Sequence, residues 1–337
     1  MVEAGVWIGR RMEMKRGVWL AVICVLVGVG PVWGQQKGQY MPGQYGLDAG
    51  VMSAPGFTYA NLDLNYVTGT INDAKGNGHK ARVNLNEWVI ENDLMWVFSG
   101  KVFGGNYAIS VEYPTPANGS LNLDKAGIYG ASTYGLADLW LQPVTLGWHL
   151  KRADIWVGDA FMVPTGRYTP GASNNIGTGY FGNHAQTAAT VYLTKNKGTS
   201  ANIYTDWEVH GPREGTYNTY KTPGQAFTDE WGFGQIVPLK KDESVLLQAG
   251  VIGYDQWQVT ADSGTLAVVG PLGNVTILPA NRTPFYSGHG VGGQLALILP
   301  KPNLFFFFKY EDEYKAYSSP IGNTLVFGFA WTVAVPK

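Results

Sequence analysis

From Phe57 to the carboxyl end the chain alternates apolar and polar residues with a period of two, the pattern of strands that present each face to a different environment. Between Ser200 and His210 one face carries Ala201, Ile203, Thr205, Trp207 and Val209, and the other Asn202, Tyr204, Asp206, Glu208 and His210. The last segment sets Leu325, Phe327, Phe329, Trp331 and Val333 against Thr324, Gly328, Ala330 and Thr332. Tyr107, Ile109, Val111 and Tyr113 likewise oppose Ala108, Ser110 and Glu112.

Segments of this kind predict about twelve strands, near 57–71, 83–98, 105–114, 134–149, 153–163, 180–194, 200–210, 226–238, 244–259, 286–299, 303–316 and 322–334. Their links alternate in length. Short ones fall at 99–104, 150–152, 195–199, 239–243 and 300–302, and longer Gly-, Pro-, Asn- and Ser-rich ones at 72–82, 115–133, 164–179, 211–225 and 260–285. The expected fold is all-β: a closed antiparallel transmembrane β-barrel with short periplasmic turns and long extracellular loops. A soluble β-sandwich also alternates, but its strands run nearer five or six residues, and here the apolar face repeats Phe and Trp.

Composition sharpens this picture. The chain has 337 residues, 45% hydrophobic and 15% charged, with 24 basic and 25 acidic side chains. No basic excess exists to hold a phosphate backbone, which argues against nucleic acid as a partner. Residues 1–34 read as a secretory signal: Lys15 and Arg16, an apolar run from Val18 to Val29, the break Gly30-Pro31, then Val32-Trp33-Gly34. Met12 or Met14 would serve as a more ordinary start. The one cysteine, Cys24, lies inside that run, leaving no thiol afterwards for disulfides or zinc. After residue 34 no run of 18 apolar residues occurs, so helical spans are excluded. Residues 35–56 are expected to form a periplasmic N-terminal segment or plug, and 57–337 the barrel. The location is then the outer membrane of a Gram-negative bacterium.

Little in the chain points to catalysis, so no catalytic residue is assigned. Asp206 with Glu208, and Glu311 with Glu313, place paired carboxylates on one strand face at the kind of separation glycosidases use. A polar barrel lumen explains such pairs without chemistry. The expected pore-lining residues are Asp63, Glu87, Glu91, Asp93, Glu112, Asp138, Asp206, Glu208, Glu230, Lys309, Glu311 and Glu313, an acidic lumen that favours cations and neutral solutes over anions. His79, His149, His184, His210 and His289 follow no metal-ligand spacing, so neither metal nor cofactor is expected. Gly177-Thr-Gly-Tyr-Phe-Gly182 spells a dinucleotide fingerprint but runs from a loop into a strand, where no helix can cradle a phosphate.

Tyr40-Met-Pro-Gly-Gln-Tyr-Gly-Leu-Asp-Ala-Gly50 with Pro55-Gly56-Phe57, Asp138 with Pro143 and Gly147-Trp148, and Pro164-Thr-Gly-Arg-Tyr168 with Asn175-Ile-Gly177 and Tyr180-Phe181 together resemble one family. It is the family named for the MetA pathway of phenol degradation, outer-membrane barrels related to hydrophobic-substrate channels. The chain departs from the usual terminal aromatic of outer-membrane assembly signals by ending Val333-Ala-Val-Pro-Lys337. The resemblance implies passive uptake of small hydrophobic or aromatic solutes, with outer-membrane lipid and the outer-membrane assembly machinery as partners. A structural or adhesive barrel without transport and an outer-membrane hydrolase are the alternatives.

Overall fold

The computed structural model describes residues 38–79, 83–123, 128–132, 135–172, 175–269 and 273–334. The signal reading of residues 1–34 lies outside them. Twelve long strands form the wall: β1 (Gly56–Asn72), β2 (Val83–Val102), β3 (Gly105–Leu123), β4 (Leu139–His149), β5 (Ala153–Val163) and β6 (Gly182–Tyr192), then β7 (Thr199–His210), β8 (Ala226–Pro238), β9 (Leu246–Gln258), β10 (Ser287–Leu299), β11 (Leu304–Tyr317) and β12 (Pro320–Ala334). Each pairs antiparallel with its neighbour in sequence, and β1 pairs with β12 from Gly56↔Ala334 to Ile71↔Pro320. That last pairing closes the sheet on itself and removes both of its end strands' free edges.

The wall is polar inside and apolar outside. On β7 the inward residues Tyr204, Asp206 and Glu208 are all 0% exposed, while Ile203 and Trp207, alternating with them, are 47% and 41% exposed. Val251, Phe233 and Leu295 lie equally open on the outer face at 51–54%. Such a contiguous apolar exterior suits lipid and not water. Aromatics mark both rims. Trp207, Phe227 and Trp257 follow one another at 5.9 and 6.1 Å near the loop end, and Phe98 stacks on Tyr107 at 5.4 Å near the turn end.

Two strands run further than their alternation predicts. β2 and β3 continue to Val102 and Leu123, through Pro114 and Pro116. Proline cannot donate to a ladder, so it suits an edge. Pairing of β3 with β4 stops at Glu112↔Trp140, so above it both prolines have β2 alone as a neighbour. The long links also hold structure of their own. Arg213–Glu214, Tyr220–Thr222, Ser263–Val269 and Val275–Pro279 build a separate four-stranded sheet at the loop end.

Residues 38–55 lie inside the barrel. Gln39 sits beside Thr178 and Tyr180 at the loop end, and Met52 lies over Gly147 near the turn end, from which the chain enters β1.

Candidate functional site

The lumen and the segment that occupies it form one site, joined mostly through the acids of the wall. Glu230 accepts hydrogen bonds from the Tyr40 hydroxyl, from Gly43 N at 2.8 Å and from Tyr45 N at 2.9 Å. Gly43 can turn its N–H inward because its φ of +101° is open to glycine alone. Opposite Glu230, Lys309 Nζ donates to three successive carbonyls, Gly43 (3.0 Å), Gln44 (2.6 Å) and Tyr45. One turn of the segment is thus held from both sides by a buried carboxylate and a buried ammonium. Burial of such charges is tolerable only with partners this complete.

The rest of the segment is held in the same manner. Gln39 N donates to Glu208 at 2.6 Å and Gln44 Nε2 to Glu91 at 3.1 Å. Asp48 N donates to Asn202 at 3.0 Å, Gly50 N to Thr190 at 2.9 Å, and Trp156 Nε1 to the Ala49 carbonyl at 2.7 Å. Tyr45 stacks on Tyr204 at 4.0 Å and an 18° interplanar angle, with Tyr40 5.2 Å from the same ring. Inward glycines make room. A Cβ on Gly232, Gly234 or Gly250 would meet Leu47 at 2.8–3.1 Å, and one on Gly50 would strike the backbone of β5 and β6 at Asp154 and Thr190.

Beside the segment, toward the turn end, lies a cavity of about 280 Å³. Met52, Met95, Trp140, Trp156, Phe305 and Phe307 supply its apolar lining, and Asp93, Glu112, Gln142 and Gln186 its polar one.

Most of the expected pore residues face inward, yet several are occupied. Glu91, Glu208, Glu230 and Lys309 bind the segment, and Asp206 accepts from His184 (3.0 Å), Gln186 (3.0 Å) and Tyr204 (3.1 Å). Glu313 accepts from Tyr66 (2.9 Å), Tyr254 and Gly322 N (2.7 Å), joining β11 to β1, β9 and β12. Asp93 and Glu112 line the cavity. Glu87 stands opposite Tyr66 on the inner face, and Glu311 presses on Gly43.

Two expectations require correction. Asp63 does not line the pore. It stands opposite Ile90 and Phe327 on the outer face, because even positions of β1, such as Leu64 at 3% exposure, are the inward ones. The error arose where polar residues occur on both faces, so that alternation loses its sign. Neighbouring Asn61 and Asn65 are outward too, bonded to Asn92 and Asn86 across β2. Asp138 precedes β4 and holds the loop above the lumen, accepting from Gly166 N (3.0 Å), Thr178 N (2.7 Å) and the Thr178 hydroxyl (2.6 Å). Ile176 N and Gly177 N both reach the Arg167 carbonyl, so 164–178 closes on itself. Gly166 and Gly177 touch backbone to backbone there, which leaves no room for a Cβ on either.

Sequence reasoning missed Gln39, Tyr45 and the inward glycines Gly232, Gly234 and Gly250. The glycines carried a signal: on a face otherwise lined by long polar side chains, they mark where a second chain segment must fit.

The geometry agrees with what known proteins show. The family model described as "Putative MetA-pathway of phenol degradation" matches residues 68–329. Among solved structures, the COG4313 outer membrane channel from Pseudomonas putida F1 superposes with a TM-score of 0.68 at 13% identity, over 88% of this chain and all of that one. The Pseudomonas putida toluene transporter TodX aligns over 90% of this chain and 97% of its own at 12% identity, with a TM-score of 0.40. No curated protein sequence matches the chain. The match spans most of the twelve-stranded closed barrel, and the chain belongs to the family of the MetA pathway of phenol degradation.

Proposed function

We propose that this outer-membrane barrel is a passive channel for small hydrophobic or aromatic compounds, gated by residues 38–55 within its lumen. The observation that carries the reading is the cavity beside the segment, lined by Met52, Met95, Trp140, Trp156, Phe305 and Phe307. Its volume of about 280 Å³ admits a single-ring aromatic, since an engineered apolar cavity of roughly 150 Å³ already binds benzene. Methionine and aromatic walls adapt to flat apolar guests, and the few polar groups around them orient a hydroxyl. The channel described from P. putida F1 supports the same reading through its shared fold.

The paired acids support a channel over a hydrolase, because Asp206 and Glu313 are engaged by neighbouring donors and Glu208 is buried against the inner segment.

Toluene entry into vesicles carrying lipopolysaccharide in the outer leaflet tests the proposal. Vesicles with the protein should fill faster than empty ones, and Met95→Trp, which fills the cavity, should slow entry while the barrel stays heat-modifiable on gels. Equal entry with and without the protein would overturn the channel and leave a structural or adhesive barrel.

A further inference from the structure

His184 on β6, Glu208 on β7 and Gln39 of the inner segment converge at the loop end of the lumen, at 0%, 0% and 2% exposure. Three of their atoms, His184 Nε2, Glu208 Oε1 and Gln39 Oε1, are buried without any hydrogen-bond partner among the described residues. Gln39 Oε1 and His184 Nε2 share one small space beside Gly182, and Glu208 stands next to His184 across the β6–β7 pairing. A Cβ on Gly182 would overlap Gln39 Oε1 and lie 3.1 Å from His184 Nε2, and one on Gly38 would lie 2.5 Å from Glu208 Oε1. The ligand atoms of His184, Asp206 and Glu208 lie within 4.8 Å of one another.

Each of these atoms is fixed as an acceptor by what its side chain does elsewhere. His184 Nδ1 faces Asp206 Oδ1 at 3.0 Å, so in the neutral ring that nitrogen carries the proton and Nε2 offers its lone pair. Gln39 Nε2 donates to the Tyr180 carbonyl at 3.0 Å and to Thr178 Oγ1 at 3.1 Å, which turns the amide oxygen toward His184. Thr178 commits its own hydrogen to Asp138, so it can only accept from Gln39. Glu208 Oε2 takes the Gln39 N–H at 2.6 Å and lies 3.0 Å from His210 Nε2, leaving Oε1 free.

Three acceptors facing one another with no donor among them repel, and one water has only two protons to give. A cation satisfies all three. We infer that His184 Nε2, Glu208 Oε1 and Gln39 Oε1 bind a divalent transition-metal cation, with Zn²⁺ the ion that best fits one imidazole and two oxygen donors. Imidazole and oxygen donors suit Zn²⁺, which leaves a fourth position for water. Asp206 is a positioning residue. It fixes the His184 tautomer through Nδ1, as carboxylates behind metal-bound histidines do. Asp206 is itself held by Gln186 and Tyr204. The ion would tie the inner segment at Gln39 to two wall strands, beside the apolar cavity, whose Trp140 ring lies 4.5 Å from the His184 ring.

The test uses the purified mature protein in detergent, untagged and stripped with chelator, titrated with Zn²⁺ alone by calorimetry and metal analysis. One ion per chain is expected. His184→Ala and Glu208→Gln should each abolish that site, and Asp206→Asn should weaken it roughly tenfold or more. Gln39→Ala, which leaves the barrel wall untouched, should also weaken it, and Co²⁺ loading should give a visible band lost in the same variants. His149→Ala and His289→Ala should bind as the parent does. Absence of binding by the folded parent would overturn the inference and assign the convergence to a doubly protonated His184. Binding unchanged in Gln39→Ala and Glu208→Gln would overturn it equally.

Discussion

At the scale of single residues the barrel reverses the usual partition, and substitutions should respond accordingly. Val251 lies on the outer face of β9 at mid-strand, 51% exposed, and Glu311 on the inner face of β11. A lysine at mid-bilayer on the lipid face costs roughly 2–4 kcal/mol, whereas the lumen surrounds a charge with polar groups. Val251→Lys should therefore lower the yield of heat-modifiable barrel far more than Glu311→Lys, and equal yields would mean the faces are exchanged. Phe327 is a poorer probe, because a lysine there would meet Asp63 directly across β1. Glu230 makes the second residue-scale prediction. It accepts three hydrogen bonds from the inner segment, and bonds to a charged group contribute about 1.5–3 kcal/mol each. Glu230→Ala should loosen the segment without disturbing the wall, so planar bilayers should show conductance absent from the parent. Faces were legible wherever one side was largely apolar and carried no charge, as on β7. They failed at Asp63, where Asn61 and Asn65 make the lipid side polar as well.

At the scale of elements, all twelve strands follow from the period of two, and the mismatches concern length. Pro116 reads as loop because proline breaks a ladder, yet from Pro114 to Asn118 β3 pairs with β2 alone, before Gly119–Leu123 takes up Ile128–Ser132 on the other side. The small sheet formed by Arg213–Glu214, Tyr220–Thr222, Ser263–Val269 and Val275–Pro279 left no sequence trace, since segments of two to seven residues are too short for a period to show. The loop knot at 164–178 was legible as a motif but not as a structure. Its hub Asp138 lies in a different link, and the three bonds that define it cross from one link to the other. Asp138→Ala should release that loop while β4 and β5 stay paired. Limited proteolysis should then cut within 164–178 in the variant and spare the parent, and identical cleavage would show the knot holds without its hub.

For the whole molecule, closure governs behaviour. Because β1 and β12 pair along nearly their full length, no strand is free to fray, so the unheated protein should migrate as a compact band in SDS gels and shift only on boiling. Disrupting that seam with Leu325→Pro, which removes a ladder donor opposite Asn65, should abolish the compact band, whereas Leu136→Pro in the link before β4 should keep it. Retention of the band in Leu325→Pro would mean that the seam contributes little.

The way the inner segment is held gives it a distinct mechanical character. Side chains scattered over the wall, among them Glu91, Glu208, Glu230, Lys309, Asn202, Thr190 and Trp156, grip it at separate places, whereas β1 is bound along two continuous ladders. Tension applied at the amino end along the barrel axis would load those grips in succession, so the segment should peel out in small low-force steps. The first ladder bond of β1 would then stop it abruptly, because the next stretch shears many bonds at once. The same chain is a tether up to residue 55 and an anchor from residue 56 onward.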